Sequence, residues 1–207
     1  MNTAGGTIER VAERHWPSPP ARLADPCDDV HLFRADLDDP RRNVDLYRLM
    51  LTDPELRRVD DVRHGHTRRR LAIACGLAHI TRAAHLVPPD REPLVVVRAN
   101  LGALGVLAAA YAPRIGLALV PSARGERGVE LATLEAIGNA GGRITGRETV
   151  DASRVGPALA TGCSLDFVVT SHHGSWHVQV LGLAPAVCLV VALEERRRVL
   201  RCWELGA

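Results

Sequence analysis

The stretch Arg98–Pro121, RANLGALGVLAAAYAPRIGLALVP, constrains the fold more than any other part of this sequence. Leu104 to Tyr111 is a run of small and aliphatic residues, Pro113 breaks it, and Ile115 to Val120 resumes it. Runs that are apolar at successive positions suit strands buried on both faces rather than half-exposed ones. They predict two apolar strands joined by a Tyr111-Ala112-Pro113-Arg114 turn, an apolar hairpin at the middle of the chain. Neither run has the length that a bilayer crossing requires, so no membrane partner is expected.

A chain of 207 residues that is 46% hydrophobic can bury the core of one large or two small domains. Aromatic residues make up 3% and are not interleaved with a basic patch, and the formal net charge is only +2. Base-stacking platforms and phosphate-backbone binding are therefore not suggested, and no nucleic-acid partner is expected. All 26 basic residues are arginine, which excludes chemistry through a lysine amine. Cys27, Cys75, Cys163, Cys188 and Cys202 form no CxxC pair and are odd in number, so they read as reduced thiols of a cytoplasmic protein. The opening MNTAGGTIERVAERHW lacks the apolar core of a signal peptide.

Residues 1–27 hold Pro17, Pro19, Pro20 and Pro26 without steady periodicity and read as a loosely attached arm. Val30 to Leu37 alternates apolar and polar residues, which predicts a half-buried strand with His31 and Asp36 on its exposed face. Thr52-Asp53-Pro54-Glu55 starts a helix that runs to about Val62. Thr67 to Leu86 has the three-to-four spacing of a long amphipathic helix ended by Pro88-Pro89. Arg68, Arg69 and Arg70 lie at its start, where cations oppose the helix dipole. Such a run is either a solvated charged face or a clamp for an anion, since guanidinium forks suit phosphate. A strand at Leu94–Val97, helices at Val129–Ile137 and Ile144–Ser153, and strands at 165–170, 176–181, 186–193 and 199–203 follow. The pattern is α+β, with two halves of similar plan, 28–112 and 113–207, each a small antiparallel sheet packed with helices.

From Val30 to the C-terminus the chain resembles the surfactin-type 4′-phosphopantetheinyl transferases. VHLFRADLD resembles that family's first strand, and LTDPELRRVDDVRHGHTRRRLAIACGLAHITRAAHLVPP resembles the block whose arginines hold coenzyme A phosphates, here Arg69 and Arg70. The central stretch resembles the family's SLSHSGDLALVAVARGPRVGVDVEP without a gap. In that register the two acidic magnesium ligands fall on Ala118 and Val120, and the phosphate-holding histidine falls on Asn100. Thr145–Ser153 resembles the family's TRKEAVLKA helix, of which Arg147 and Glu148 remain while Asp151 stands at the later lysine. The segment between Pro89 and Arg98 is too short for the family's Gly-Lys-Pro loop. The resemblance implies two pseudo-twofold halves with a site in the cleft between them.

Phosphopantetheine transfer requires magnesium, which takes hard oxygen ligands. Ala118 and Val120 offer none from their side chains, and no acidic residue lies between Glu92 and Glu126. The expectation is a protein that has lost magnesium-dependent transfer, with magnesium and coenzyme A no longer working cofactors. A cleft stripped of these polar groups suits an apolar small molecule, so the expected substrate is a hydrophobic polyketide or peptide intermediate of secondary metabolism, free or carrier-bound. Arg69, Arg70, Arg98, Asn100, Tyr111, Ala118, Val120 and Arg147 would line its site. Glu148 would serve as acid or base in a dry cleft, or else pair with Arg147. Ser171-His172-His173-Gly174 places two imidazoles at a turn, either as catalytic groups or as a solvent-facing pair. The alternatives are a non-catalytic module binding acyl carrier protein or coenzyme A, and a transferase with unusual metal ligation. A monomer is expected, because two such halves can pack on each other.

Overall fold

The computed structural model describes residues 16–20, 23, 26, 29–85, 94–112, 114–142, 165–171, 174–184, 187–194 and 198–206. In chain order its elements are β1 (Asp29–Asp36), α1 (Val44–Arg48), α2 (Asp53–Asp60), α3 (Gly65–Ala84), β2 (Val95–Leu101), β3 (Leu104–Ala110), β4 (Ile115–Pro121), α4 (Gly125–Asn139), β5 (Leu165–Ser171), β6 (Gly174–Ala184), β7 (Val187–Glu194) and β8 (Val199–Glu204). The architecture is mixed α+β, with two four-stranded sheets ordered β2-β3-β1-β8 and β4-β7-β6-β5. Two compact units carry them: one joins 16–111 to 199–207, the other is built around 112–198. No helix among the described residues is long and apolar enough to cross a membrane.

In the first unit β2 and β3 form a tight hairpin with Leu101 opposite Leu104. Gly102, the first residue of the two-residue loop, has φ +59°, the conformation that primed hairpin turns demand and that favours glycine. β3 then pairs antiparallel with β1, placing Leu107 opposite Phe33. Helix α3 covers one face, and Ile73, Ala74, Leu77 and Ala78 pack on Phe33, Ala35, Leu37, Leu107 and Ala109. Helix α2 is a satellite, joined through Val59 to Leu51, Ala72 and Cys75. Its Pro54 sits in the first turn, where the missing N–H costs nothing. The short helix α1, for which Asn43 accepts the Asp45 N–H as N-cap, has no counterpart in the sequence reading.

Four expectations are corrected in this unit. The two apolar strands of the central stretch do not pair with each other: β3 belongs to one sheet and β4 to the other, so Tyr111–Arg114 links units and not hairpin arms. The final strand, expected with residues 113–207, instead pairs parallel with β1, Leu200 beside Val30 and Trp203 beside Phe33. That makes the sheet mixed, not purely antiparallel. Its anchor is aromatic, since Trp203 stacks on Phe33 with ring centroids 5.4 Å apart. The expected arm at 1–27 is held where it is described: Trp16 and Leu23 are buried, Arg34 lies 5.2 Å over the Trp16 ring, and the Glu204 N–H donates to Pro17 O. His31, expected on an exposed face, is only 2% exposed because it shares the strand face of Phe33, Ala35 and Leu37 that packs on α3, with Trp203 against its ring.

The second unit packs α4 across β4 and β7. Its core joins Ala118 and Val120 to Val129, Ala132, Ala136 and Ile137 of α4 and to Trp176, Val178 and Val190. Gly116 permits the close approach, because a Cβ there would lie 1.8 Å from Ala136 O and 2.9 Å from Ala140 N. The Asn139 side-chain amide donates to Leu117 O at 3.0 Å and ties the end of the helix to the same strand. β4 and β7 pair with Ala118 opposite Val190, and β6 continues the sheet to the edge strand β5. The helix expected at Ile144–Ser153 lies outside the described residues.

Replacing Gly116 with alanine drives a methyl group into helix backbone that cannot rotate away. Gly116→Ala is expected to lose about 3 kcal/mol of stability, seen as a lower urea midpoint; an unchanged midpoint shows that α4 does not press on β4 in this way.

Candidate functional site

The residues proposed to bind a ligand fall into three physical situations. Arg69, in the first turns of α3, is part-buried and donates from Nη1 to Leu37 O at 2.6 Å, and from Nη2 to Arg42 O at 3.0 Å and Asp39 O at 3.1 Å. Three carbonyls take up the fork, which leaves it closing the turn after β1 and not facing an anion. Arg70 makes a two-pronged ion pair with Asp38, its Nε 2.8 Å from Oδ1 and its Nη2 on Oδ2. That hydrogen bond holds the Asp38 carboxyl below its ordinary range. Arg68 also turns back on the chain, Nε donating to Val62 O at 2.9 Å. Of the two readings of the Arg68–Arg70 run, the structure supports neither a bare solvated face nor an open clamp: these guanidiniums hold backbone and carboxylate.

Arg98 and Asn100 lie on β2, an edge strand, two residues apart and hence on one face. Val96 of that face packs into the α3 core. Arg98 is half-buried and close enough to α3 to act on Cys75, where burial pushes the thiol up and the Arg98 charge opposes it. Asn100 is exposed at the strand end beside Gly105.

Tyr111, Ala118 and Val120, expected to line a ligand cleft, are buried in the cores of their own units. Tyr111 is 8% exposed and belongs to the core around α3. Ala118 and Val120, at 1% and 5%, are core residues under α4, in the other unit. Their place on β4 explains this: positions 116, 118 and 120 share the face on which α4 sits, so only small or apolar side chains fit there. As a donor set for magnesium these positions do not fit, since they supply no side-chain oxygen and their volume is filled by helix. Arg147, Glu148, His172 and His173 lie outside the described residues. Among the described residues no group of three or more His, Cys, Asp or Glu is arranged to hold a metal ion.

Two polar assemblies were missed by the sequence reading. Arg42 is 4% exposed; it donates to Asp36 O at 2.8 Å, Leu205 O at 2.6 Å and Gly206 O at 3.1 Å, and to the Tyr47 hydroxyl at 2.9 Å. Glu55, three residues into α2, accepts the Thr52 N–H at 3.0 Å, the Thr52 hydroxyl at 2.9 Å and the His79 Nε2–H at 2.8 Å. Burial pushes the Glu55 carboxyl up, but these donors outweigh it and bring it down to about 2. The Thr52/Glu55 half was readable as a helix start; His79 was hidden because contact between α2 and α3 is tertiary. No protein-family model matches the chain, and no curated protein matches it in sequence.

Arg69→Lys replaces a three-carbonyl fork by a point charge and is expected to lose about 2 kcal/mol in urea unfolding; wild-type stability shows the fork to be dispensable. For Glu55 the folded carboxyl titrates below its ordinary value of 4.5, so its contribution is complete above that pH and is lost as pH falls toward about 2. Glu55→Gln is therefore expected to flatten the acid limb of the stability curve by about 2 kcal/mol. An acid limb as steep as that of the parent protein refutes this assignment.

Proposed function

We propose that this chain is a phosphopantetheinyl-transferase-like protein that no longer carries out magnesium-dependent phosphopantetheine transfer and instead recognises a hydrophobic polyketide or peptide intermediate, free or carrier-bound. The observation that carries the first part is the packing of β4: Ala118 and Val120, which stand where the resembled family has magnesium ligands, lie in an apolar core beneath α4. The α+β plan with two four-stranded sheets is compatible with that family's two halves. Retention of coenzyme A is disfavoured, because Arg69 and Arg70 are engaged by Leu37, Asp39 and Arg42 carbonyls and by Asp38. An enzymatic form of this reading would use Glu148, His172 or His173.

A second reading, a non-catalytic module that docks an acyl carrier protein, is favoured by one observation. Leu46, Leu49 and Met50 are 57%, 83% and 44% exposed, and their spacing of three and four residues puts them on one ridge of α1 and its C-terminal end. A large apolar ridge left in water is a common mark of partner binding.

Incubation with apo acyl carrier protein, coenzyme A and magnesium, followed by intact mass, is expected to show no gain of phosphopantetheine; loading of the carrier overturns the main reading. Passing the protein over immobilised holo carrier separates the two readings. Retention that falls about tenfold in Leu49→Asp supports the docking module, whereas retention unaffected by that change removes it.

A further inference from the structure

The first sheet ends at β2, which has β3 on one side and no described strand on the other. Leu101 faces Leu104 across the two-residue loop, so residues 101, 99, 97 and 95 exchange backbone hydrogen bonds with β3. The N–H and C=O groups of Val96, Arg98 and Asn100 therefore point away from the sheet, toward its open edge. None of them takes part in the turn, loop or cap bonds found among the described residues. Val95, Val96 and Val97 are half-buried, and β-branched residues of this kind suit a further strand beside them.

Arg98 stands at the middle of this edge, half-buried and on the face covered by α3. Its guanidinium makes no hydrogen bond or ion pair among the described residues. On the side of α3 its charge acts on Cys75, a thiol that burial pushes up, and Arg58 acts on that thiol as well. Glu55, the carboxylate in the same surroundings, is already engaged by the Thr52 N–H and hydroxyl and by His79. A half-buried cation on an otherwise apolar edge selects what can add there. Two copies of the chain pairing β2 over its full length run antiparallel about its midpoint and set Arg98 against Arg98, which is unfavourable. An acidic residue in that place removes the conflict and gives the guanidinium a partner.

We propose that β2 is a docking edge for an extended acidic segment of another protein, which adds to the sheet as an antiparallel strand with its Asp or Glu opposite Arg98. The incoming backbone bonds the outward groups of Val96, Arg98 and Asn100, the main-chain half of recognition by strand addition. Side-chain alternation supplies the other half. The residues two before and two after the acid share the α3 face, one beside Asn100 and the other beside Val96, so a polar residue suits the first place and an apolar one the second. The charge that admits an acidic strand excludes a second copy of the chain. This docking holds whether or not the chain also recognises a small intermediate.

The test uses the full-length protein and a short peptide with blocked ends, Thr-Val-Thr-Thr-Glu-Thr-Val-Thr-Thr, beside versions with Gln or Lys in place of the Glu. Fluorescence anisotropy is expected to show saturable binding of the Glu peptide, binding about fivefold weaker for the Gln peptide, and weaker again for the Lys peptide. Arg98→Gln is expected to remove the preference for Glu over Gln, and Arg98→Glu to reverse the order. Amide exchange in the parent should slow at Val96, Arg98 and Asn100 when the Glu peptide is added, because these are the free donors. Absence of saturable binding, equal affinity for the Glu and Gln peptides, or no protection of these three amides overturns the proposal. Protection of the same amides that grows with protein concentration alone overturns it in favour of a second copy. Should the variants not fold, the order of the three peptides on the parent decides.

Discussion

Two arginines hold the first unit together from its least regular part. After β1 the chain turns through Asp36–Arg42, where it makes few sheet or helix hydrogen bonds of its own. Arg69 donates to three of that turn's carbonyls, and Arg42 reaches back to a fourth while also gripping Leu205 O and Gly206 O. Each guanidinium thereby satisfies acceptors that burial would otherwise leave costly. Strand β1, helix α3 and the end of β8 are joined at one place as a result. Without these forks α3 would still bury its apolar face on the sheet, but the turn that delivers the chain from β1 to α1 would be shaped only by its own short bonds, Asp38 N–H to Asp36 Oδ1, Arg41 N–H to Asp39 Oδ1 and Arg42 N–H to Asp39 O.

This use of arginine bears on function directly. A run such as Arg68–Arg70 at a helix start is ambiguous on sequence grounds, because an anion and a carbonyl-rich turn satisfy the same fork. Here the competitor for the fork is the protein's own backbone. The strand β4 tells a parallel story: positions that could present ligands to a metal are given over to contact with α4, and Gly116 lets the helix come closer still. Both features commit side chains to the chain's own backbone and core: the forks to turn carbonyls and a carboxylate, the strand face to a helix.

Much of the architecture was legible in the sequence, and the reasons differ between elements. α2 and α3 carried local signals, Thr52-Asp53-Pro54-Glu55 for one and the apolar spacing from Leu71 onward for the other, so their positions followed from propensity and period. The four late strands were bounded by turn residues. Strand partners were not legible, since Leu104–Ala110 and Ile115–Pro121 look alike as apolar runs and only tertiary packing sends them to different sheets. His31 misled because alternation in Val30–Leu37 is a sign of one exposed face, whereas Trp203 and His85 cover the face that histidine occupies. Arg42 sits between turn residues and had no pattern to betray its burial. The candidate site was the least legible part: the resemblance aligns positions, but whether a side chain there meets ligand or core depends on which helix lies over the strand.

The parallel pairing of β8 with β1 separates in sequence what is adjacent in space, Asp29 lying beside Val199 and Arg34 beside Glu204. During synthesis the segment 112–198 emerges as one uninterrupted piece and can close its own sheet. The first unit, begun much earlier, must wait with one side of β1 open until Glu204 has been made. An unfinished sheet edge flanked by Phe33 and Leu32 is a site for mispairing with other chains. Vectorial synthesis therefore exposes the earlier unit for longer than the later one, and the residues that end the wait, Trp203 and the carbonyls gripped by Arg42, arrive only after the whole of 112–198.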